Sequence, residues 1–199
     1  MATRKIPARE GHGEYSEKRS RFLGTVYRVT AESEVSAVIA ALRREHYEAR
    51  HVVHAFVLAD GTARFSDDGE PHGTAGKPLM TLLTSAGLTD CMVTVVRYFG
   101  GTLLGTGGLV RAYTEAARLA LADAGIAEVR DTVRGTVRCG YEQYESLTRL
   151  LASFEGSDTV PVFADEVTVS FSLPTERRAD FEQALAAGFA GKRADFSEN

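Results

Sequence analysis

The sequence predicts an α+β protein of two domains, and three observations carry that prediction. Strand-like and helix-like apolar periodicities alternate along all 199 residues, and the composition, 44% hydrophobic and 25% charged, is that of an ordinary folded chain. From Thr132 onward the order becomes strand, helix, two strands, helix and a short last strand, the βαββαβ order of a ferredoxin-like unit. A chain of this length can bury a sizeable core and can divide into one medium and one small domain.

The first strand is expected from Phe22 to Val29. A helix follows in which Val35, Val38, Ile39 and Leu42 form one apolar stripe. His54 to Leu58 reads as a short strand, Asp60-Gly61 as a hairpin turn, and the return strand runs through Phe65. Pro78 suits the first turn of a helix to Ala86, with Leu79, Leu82, Leu83 and Ala86 on one face and Gly87 to end it. Met92 to Phe99 reads as a central strand. After a glycine-rich loop, a helix from Leu109 to Ala124 buries Leu109, Ala112, Tyr113, Ala116, Leu119 and Ala120.

Ile126 to Asp131 holds the expected boundary, giving a first domain of 1–128 and a second of 132–199. In the second, Tyr144, Leu147, Leu151 and Phe154 stripe one helix, and Phe181, Ala184, Leu185 and Phe189 the other. Val167, Val169, Phe171 and Leu173 alternate with Thr168, Ser170 and Ser172, so one sheet face meets helices and the other meets water. The last strand is expected within Lys192 to Phe196.

No apolar run approaches the roughly 20 residues that a membrane-spanning helix needs, and the N-terminal stretch lacks the apolar centre of a signal peptide. The chain is therefore expected in the cytoplasm. Cys91 and Cys139 cannot make a disulfide framework or a four-thiolate zinc site and read as buried thiols. Residues 1–131 carry 16 basic and 16 acidic side chains, whereas 132–199 carry 7 and 11. Phosphate binding needs positive potential, so any nucleic-acid surface belongs to the first domain.

Two segments are too unusual to be ordinary connections: Phe65 to Pro78, FSDDGEPHGTAGKP, and Arg97 to Tyr113, RYFGGTLLGTGGLVRAY. Five glycines of the second lie between a strand and a helix, where bare backbone N–H groups can approach an anion at the helix start. They can equally serve tight turns and close packing. No Gly-Lys-Ser/Thr follows and the Gly-x-Gly-x-x-Gly spacing is absent, which excludes a Walker or dinucleotide loop. Asp67, Asp68, Glu70 and His72 invite a divalent metal, yet acids beside glycine are more often turn formers, and Asp67 or Asp68 pairing with Arg97 or Arg111 is the stronger reading. His51 and His54, three apart on a strand, point to opposite faces and make poor joint ligands. Ser66, Thr74 and His72 do not define a catalytic triad.

The same two segments resemble the signature of the IMPACT/YigZ family, an acidic Gly-Glu-Pro-x-Gly-Thr-Ala-Gly-x-Pro stretch followed by Arg-Tyr-Phe-Gly-Gly and Gly-Gly-Leu-Val-Arg-Ala-Tyr. Lys18 to Phe22 and Ala49-Arg50-His51 extend the likeness over essentially the whole chain. The resemblance implies a first domain similar to those of GHMP kinases and a small-subunit ribosomal protein, and a ferredoxin-like second domain similar to the fifth domain of elongation factor G. It also implies a link to translation, since the eukaryotic IMPACT protein is a translational regulator acting through protein partners. The chain departs from the pattern at Leu103, where relatives commonly carry lysine, and at Val53, where cysteine is common; no partner-binding RWD domain is evident.

The expected function is a translation-linked regulatory or binding protein that engages RNA, the ribosome or a translation-associated protein through the glycine-rich cleft. An enzyme or sensor for a small phosphorylated ligand is the alternative, and no cofactor or metal is expected. The candidate binding residues are Asp67, Asp68, Glu70, His72, Thr74 and Lys77 from the first segment, with Arg97, Gly100, Gly101, Gly105, Gly107, Gly108 and Arg111 from the second.

Overall fold

A computed structural model of the chain describes residues 3–189 and 192–197. The chain divides into two compact units, Arg4–Val129 and the part from Arg130 onward. The first unit is built on an antiparallel sheet of β2 (Gly11–Glu17), β3 (Ser20–Arg28), β4 (His51–Val57), β5 (Ala63–Ser66) and β6 (Cys91–Tyr98), in the order β2-β3-β6-β4-β5. A separate two-stranded sheet joins β1 (Thr3–Pro7) to β7 (Ile126–Arg130).

Helices cover both sheet faces. On one, α2 (Gly76–Ser85) and α3 (Gly105–Ala124) bring Leu79, Leu83, Ala112, Tyr113 and Ala116 onto Phe22, Val26, Val53, Val93 and Val95. On the other, α1 (Glu32–Glu45) lays Val35 on Phe56 and Met92, and Leu42 on Val52 and Val96. A central strand buried on both sides has no polar face to show, which is why β6 is apolar on both faces, with Thr94 and Arg97 the buried exceptions before Tyr98.

β1 and β2 fall in a stretch where no strand was expected. β2 is Gly-His-Gly-Glu-Tyr-Ser-Glu, with little of the apolar alternation that marks a strand, because α3 lies almost directly on its backbone. A Cβ at Gly11 would stand 2.3 Å from the Ala124 nitrogen, one at Gly13 2.4 Å from the Ala120 nitrogen, and one at Gly24 2.4 Å from the Ala116 carbonyl oxygen. Gly13 and Gly24 are register partners, so the two strands offer one flat seat to the helix. The β2–β3 turn places Lys18 and Arg19 at φ 46° and 66°, left-handed values usually given to Asn-Gly, so the turn has no sequence signal either. The Asp60-Gly61 hairpin forms as expected, with the Leu58 N–H donating to the Thr62 carbonyl.

The second unit has the ferredoxin-like plan expected of it. Its elements are β8 (Thr132–Cys139), α4 (Tyr141–Ser153), β9 (Ser157–Phe163), β10 (Val167–Pro174), α5 (Arg178–Gly188) and β11 (Asp195–Ser197), with sheet order β11-β8-β10-β9. Val137, Val169 and Phe171 face Leu147, Leu151, Phe181 and Leu185 of the helices. The last strand begins at Asp195, later than the expected Lys192. Each unit encloses one free thiol, Cys91 in the first core and Cys139 in the second. Among the described residues no helix is long and apolar enough to cross a membrane.

Candidate functional site

The pairing of β3, β6 and β4 sets Phe22, Arg97 and His51 in one row across the sheet, on the face that α3 covers. Arg97 is thereby placed where a valine would be expected, and it is 5% exposed. A buried guanidinium needs a partner held in place. The segment between β5 and α2 supplies Glu70, whose Oε1 lies 2.5 Å from Arg97 Nη1 and accepts a hydrogen bond from Tyr113 Oη at 2.8 Å. The Arg97 guanidinium carbon also stands 5.5 Å from the ring centres of both Phe22 and Phe99. Burial first, and then the Glu70 carboxylate, push the Tyr113 phenol far above its ordinary range, so it stays protonated and donates.

Asp67 shapes the segment that carries Glu70. Its Oδ2 accepts from the Gly73 N–H and its Oδ1 from the Ala75 and Gly76 N–H groups, closing a turn at the start of α2. Burial works against ionisation of Asp67, but these three donors outweigh it and hold its carboxyl below the usual range. Asp68 bridges outward instead: Oδ1 meets Arg43 at 2.5 Å, Oδ2 accepts from the Val52 N–H, and its backbone carbonyl accepts from His51 Nδ1. The expected pairing of Asp67 or Asp68 with Arg97 or Arg111 is therefore corrected. Glu70 takes Arg97 because it alone among these acids is carried under α3, whereas Arg111 lies 3.6 Å from Glu17 of β2.

Above this network is a cavity of about 340 Å³ lined by Arg50, His51, Glu70, Arg97, Phe99 and the residues Leu103 to Thr106 at the start of α3, among others. α3 begins at Gly105, one turn before the expected Leu109, and its first turn has no side-chain cap. A larger cavity of about 610 Å³ in the second unit is bounded by Arg134, Thr136, Ser170 and Ser172 but has no buried charged group on its walls.

The thirteen sequence candidates thus separate. Glu70, Arg97 and Gly105 line the cavity. Thr74 is buried and donates to the Pro71 carbonyl, a turn contact, while His72 is exposed and 3.7 Å from Asp67. Lys77 lines a different groove, between α2 and α3. Gly100 is structural: a Cβ there would stand 2.0 Å from the Arg19 carbonyl carbon. Gly101 and Gly105 take left-handed φ values of 84° and 73°, and Gly108 sits tightly on Leu104. Gly107 is exposed, has an ordinary φ and meets nothing within 4 Å, so neither a turn nor packing accounts for it. Among the described residues no group of three or more His, Cys, Asp or Glu side chains is placed to hold a metal ion.

Sequence reasoning passed over Arg50, His51 and Tyr113 as site residues. Arg50 had been noted only as part of a resemblance, His51 was weighed only as a metal ligand with His54 and set aside, and Tyr113 was read as part of the apolar stripe of α3 and the end of the second segment. Arg111 is largely exposed, and its ion pair with Glu17, at 3.6 Å, is long. Replacing it with alanine should change stability by less than about 0.5 kcal/mol, since exposed pairs contribute little. Thermal melting checks this, and a fall of many degrees would show that the arginine fastens β2 to α3.

Comparison with known proteins gives the family of the chain. The Impact N-terminal domain model matches residues 18–121, and the DUF1949 domain of unknown function matches residues 137–192. The IMPACT family member YigZ of Escherichia coli (strain K12) is 35% identical over 173 residues, covering 85% of each chain. A crystal structure of a hypothetical protein, 32% identical, covers 100% of this chain and 98% of its own with a TM-score of 0.68. The two-domain translational regulator Yih1 is matched over 58% of this chain and 47% of its own at 25% identity, with a TM-score of 0.39, too low to weigh. The Arg97–Glu70 pair and the Gly105 helix start lie inside the first matched span, and the second runs from within β8 to beyond α5, stopping short of β11. With a family model over more than half its length and a relative 35% identical over 85% of both chains, the chain belongs to the IMPACT family.

Proposed function

We propose that this chain is a translation-linked binding protein that engages RNA by seating a phosphate in the cavity above Arg97. The observation that carries this reading is the meeting of Arg50 and Arg97 with the uncapped first turn of α3 in one concave site. N–H groups of a first helical turn lack partners within the helix and carry partial positive charge, so they favour an anion. Gly107 supports the reading, because a glycine that serves neither turn nor packing leaves backbone open to close approach. The family's connection to translation and the acidic balance of the second unit support placing this surface in the first unit.

Binding of the whole chain to structured RNA and to ribosomes, followed from about 50 to about 200 mM salt, tests the proposal, because phosphate contacts lose affinity as counterions compete. Affinity should fall steeply; no binding even at the lowest salt would defeat it. Gly107→Ala should stabilise α3 by up to about 1 kcal/mol while weakening RNA binding. Unchanged binding by that variant would put the anion elsewhere.

One observation favours a second reading, a sensor or enzyme for a small phosphorylated ligand: at about 340 Å³ the cavity is the size of a small-molecule site. A thermal-shift screen against nucleotides and sugar phosphates separates the two, since a ligand at one hundred times its Kd adds about 2.7 kcal/mol.

A further inference from the structure

The walls of the Arg97 cavity are not uniformly suited to an anion. Glu70 has only 3% of its side chain exposed, yet it lines the cavity. Among the described residues its hydrogen bonds all go to Oε1, from Arg97 Nη1 and Tyr113 Oη, and Oε2 receives none. An ionised carboxylate can accept on both oxygens, and a buried one ordinarily does. Beside it, His51 donates Nδ1–H to the Asp68 carbonyl and turns Nε2 toward Glu70. That nitrogen lies 3.7 Å from Glu70 Oε1, too far for a direct hydrogen bond. The cavity thus joins the N–H donors of the first turn of α3 to a carboxylate oxygen without a donor, with Arg50 and Arg97 beside that oxygen on the sheet side.

We infer that the ligand of this site is a phosphate ester with a free hydroxyl on its sugar, a ribose phosphate, with the phosphate on the first turn of α3 and the sugar hydroxyl donating to Glu70 Oε2. This rests on the anion reading above and deepens it. A bare phosphate leaves that oxygen unpaired, and a sugar without the hydroxyl offers it nothing. A ribose hydroxyl donates to a buried carboxylate, an interaction worth more than a neutral hydrogen bond. It would also make Glu70 a selectivity group, distinct from its part in holding Arg97.

The shared chemistry can come from an RNA strand or from a free nucleotide, and titration calorimetry on the whole chain distinguishes them. The probes are adenosine monophosphate, its dideoxy counterpart lacking both ribose hydroxyls, inorganic phosphate, and single-stranded RNA and DNA of one sequence. The expected result is a preference of about tenfold or more for the hydroxyl-bearing member of whichever pair binds. Preference within the mononucleotide pair identifies a free ligand, and preference within the oligonucleotide pair alone identifies a strand. Equal affinities within a pair that binds would overturn the inference while leaving the phosphate site standing. Silence of all five probes would overturn both. Glu70→Gln should erase the preference, and because the discrimination is read first on the unaltered protein, a variant that fails to fold does not decide the matter.

Discussion

Arg97→Ala is expected to destabilise the first unit by about 3–5 kcal/mol, the cost of leaving a buried charge without its partner, and to lower Tm by about 10 °C. The cause is Glu70, which lies under α3 with its Oε1 committed to Arg97 and Tyr113. Removing the guanidinium leaves the carboxylate in an apolar surround made by Phe22, Phe99 and Tyr113. A charge effect and a packing effect can be told apart. If charge is the cause, combining Glu70→Leu, Arg97→Met and Tyr113→Phe should restore most of the lost stability, since well-packed apolar groups often replace a buried ion pair at little cost. A parent-like Tm for Arg97→Ala would mean that the pair contributes nothing to the fold.

Gly24→Ala should be comparably damaging for a reason that has nothing to do with charge. The added methyl would stand 2.4 Å from the Ala116 carbonyl oxygen, and its three nearest atoms, from Ala116 and Ala117, are all backbone, so α3 or the sheet must move. Overpacking of this kind costs about 1–3 kcal/mol and occasionally more, and the loss of fit would spread along α3 toward the cavity at its other end. Gly13→Ala, directly across the strand pair, should behave alike. Denaturant unfolding of both, with Gly107→Ala as the unhindered control, measures the effect. Parent-like midpoints for Gly13→Ala and Gly24→Ala would show that α3 does not rest on β2 and β3 as closely as described.

The parts of the fold that were legible in the sequence are those whose burial is one-sided or complete. β10 alternates because only one of its faces meets helices, and β6 carries apolar residues on both faces because both do. β2 was illegible because its contact with α3 is made through absent side chains, and glycine in a strand ordinarily signals a break. The start of α3 was placed a turn late for the same reason: Gly105, Gly107 and Gly108 look like loop when read by propensity. At the site, Glu70 and Arg97 stood out as odd residues in odd segments, but their mutual pairing did not. Three acids within four positions offered themselves to Arg97, and the choice among them depends on the turn that Asp67 closes, which is a matter of backbone hydrogen bonds. Tyr113 was hidden by doing two things at once, its ring packing edge-on against Phe22 while its hydroxyl serves the carboxylate.

The placement of the two thiols has a practical consequence. Burial pushes Cys91 up to about 12 and raises Cys139 as well, so neither supplies thiolate to a reagent while its core is closed. Because one cysteine belongs to each unit, alkylation acts as a pair of internal clocks. Under native conditions each sulfur should label only when its own core opens, and peptide mapping of the adducts reads the two opening rates from a single sample. Unequal labelling would show that the halves of this chain come apart independently, and rates that remain equal under every condition would show that they open as one.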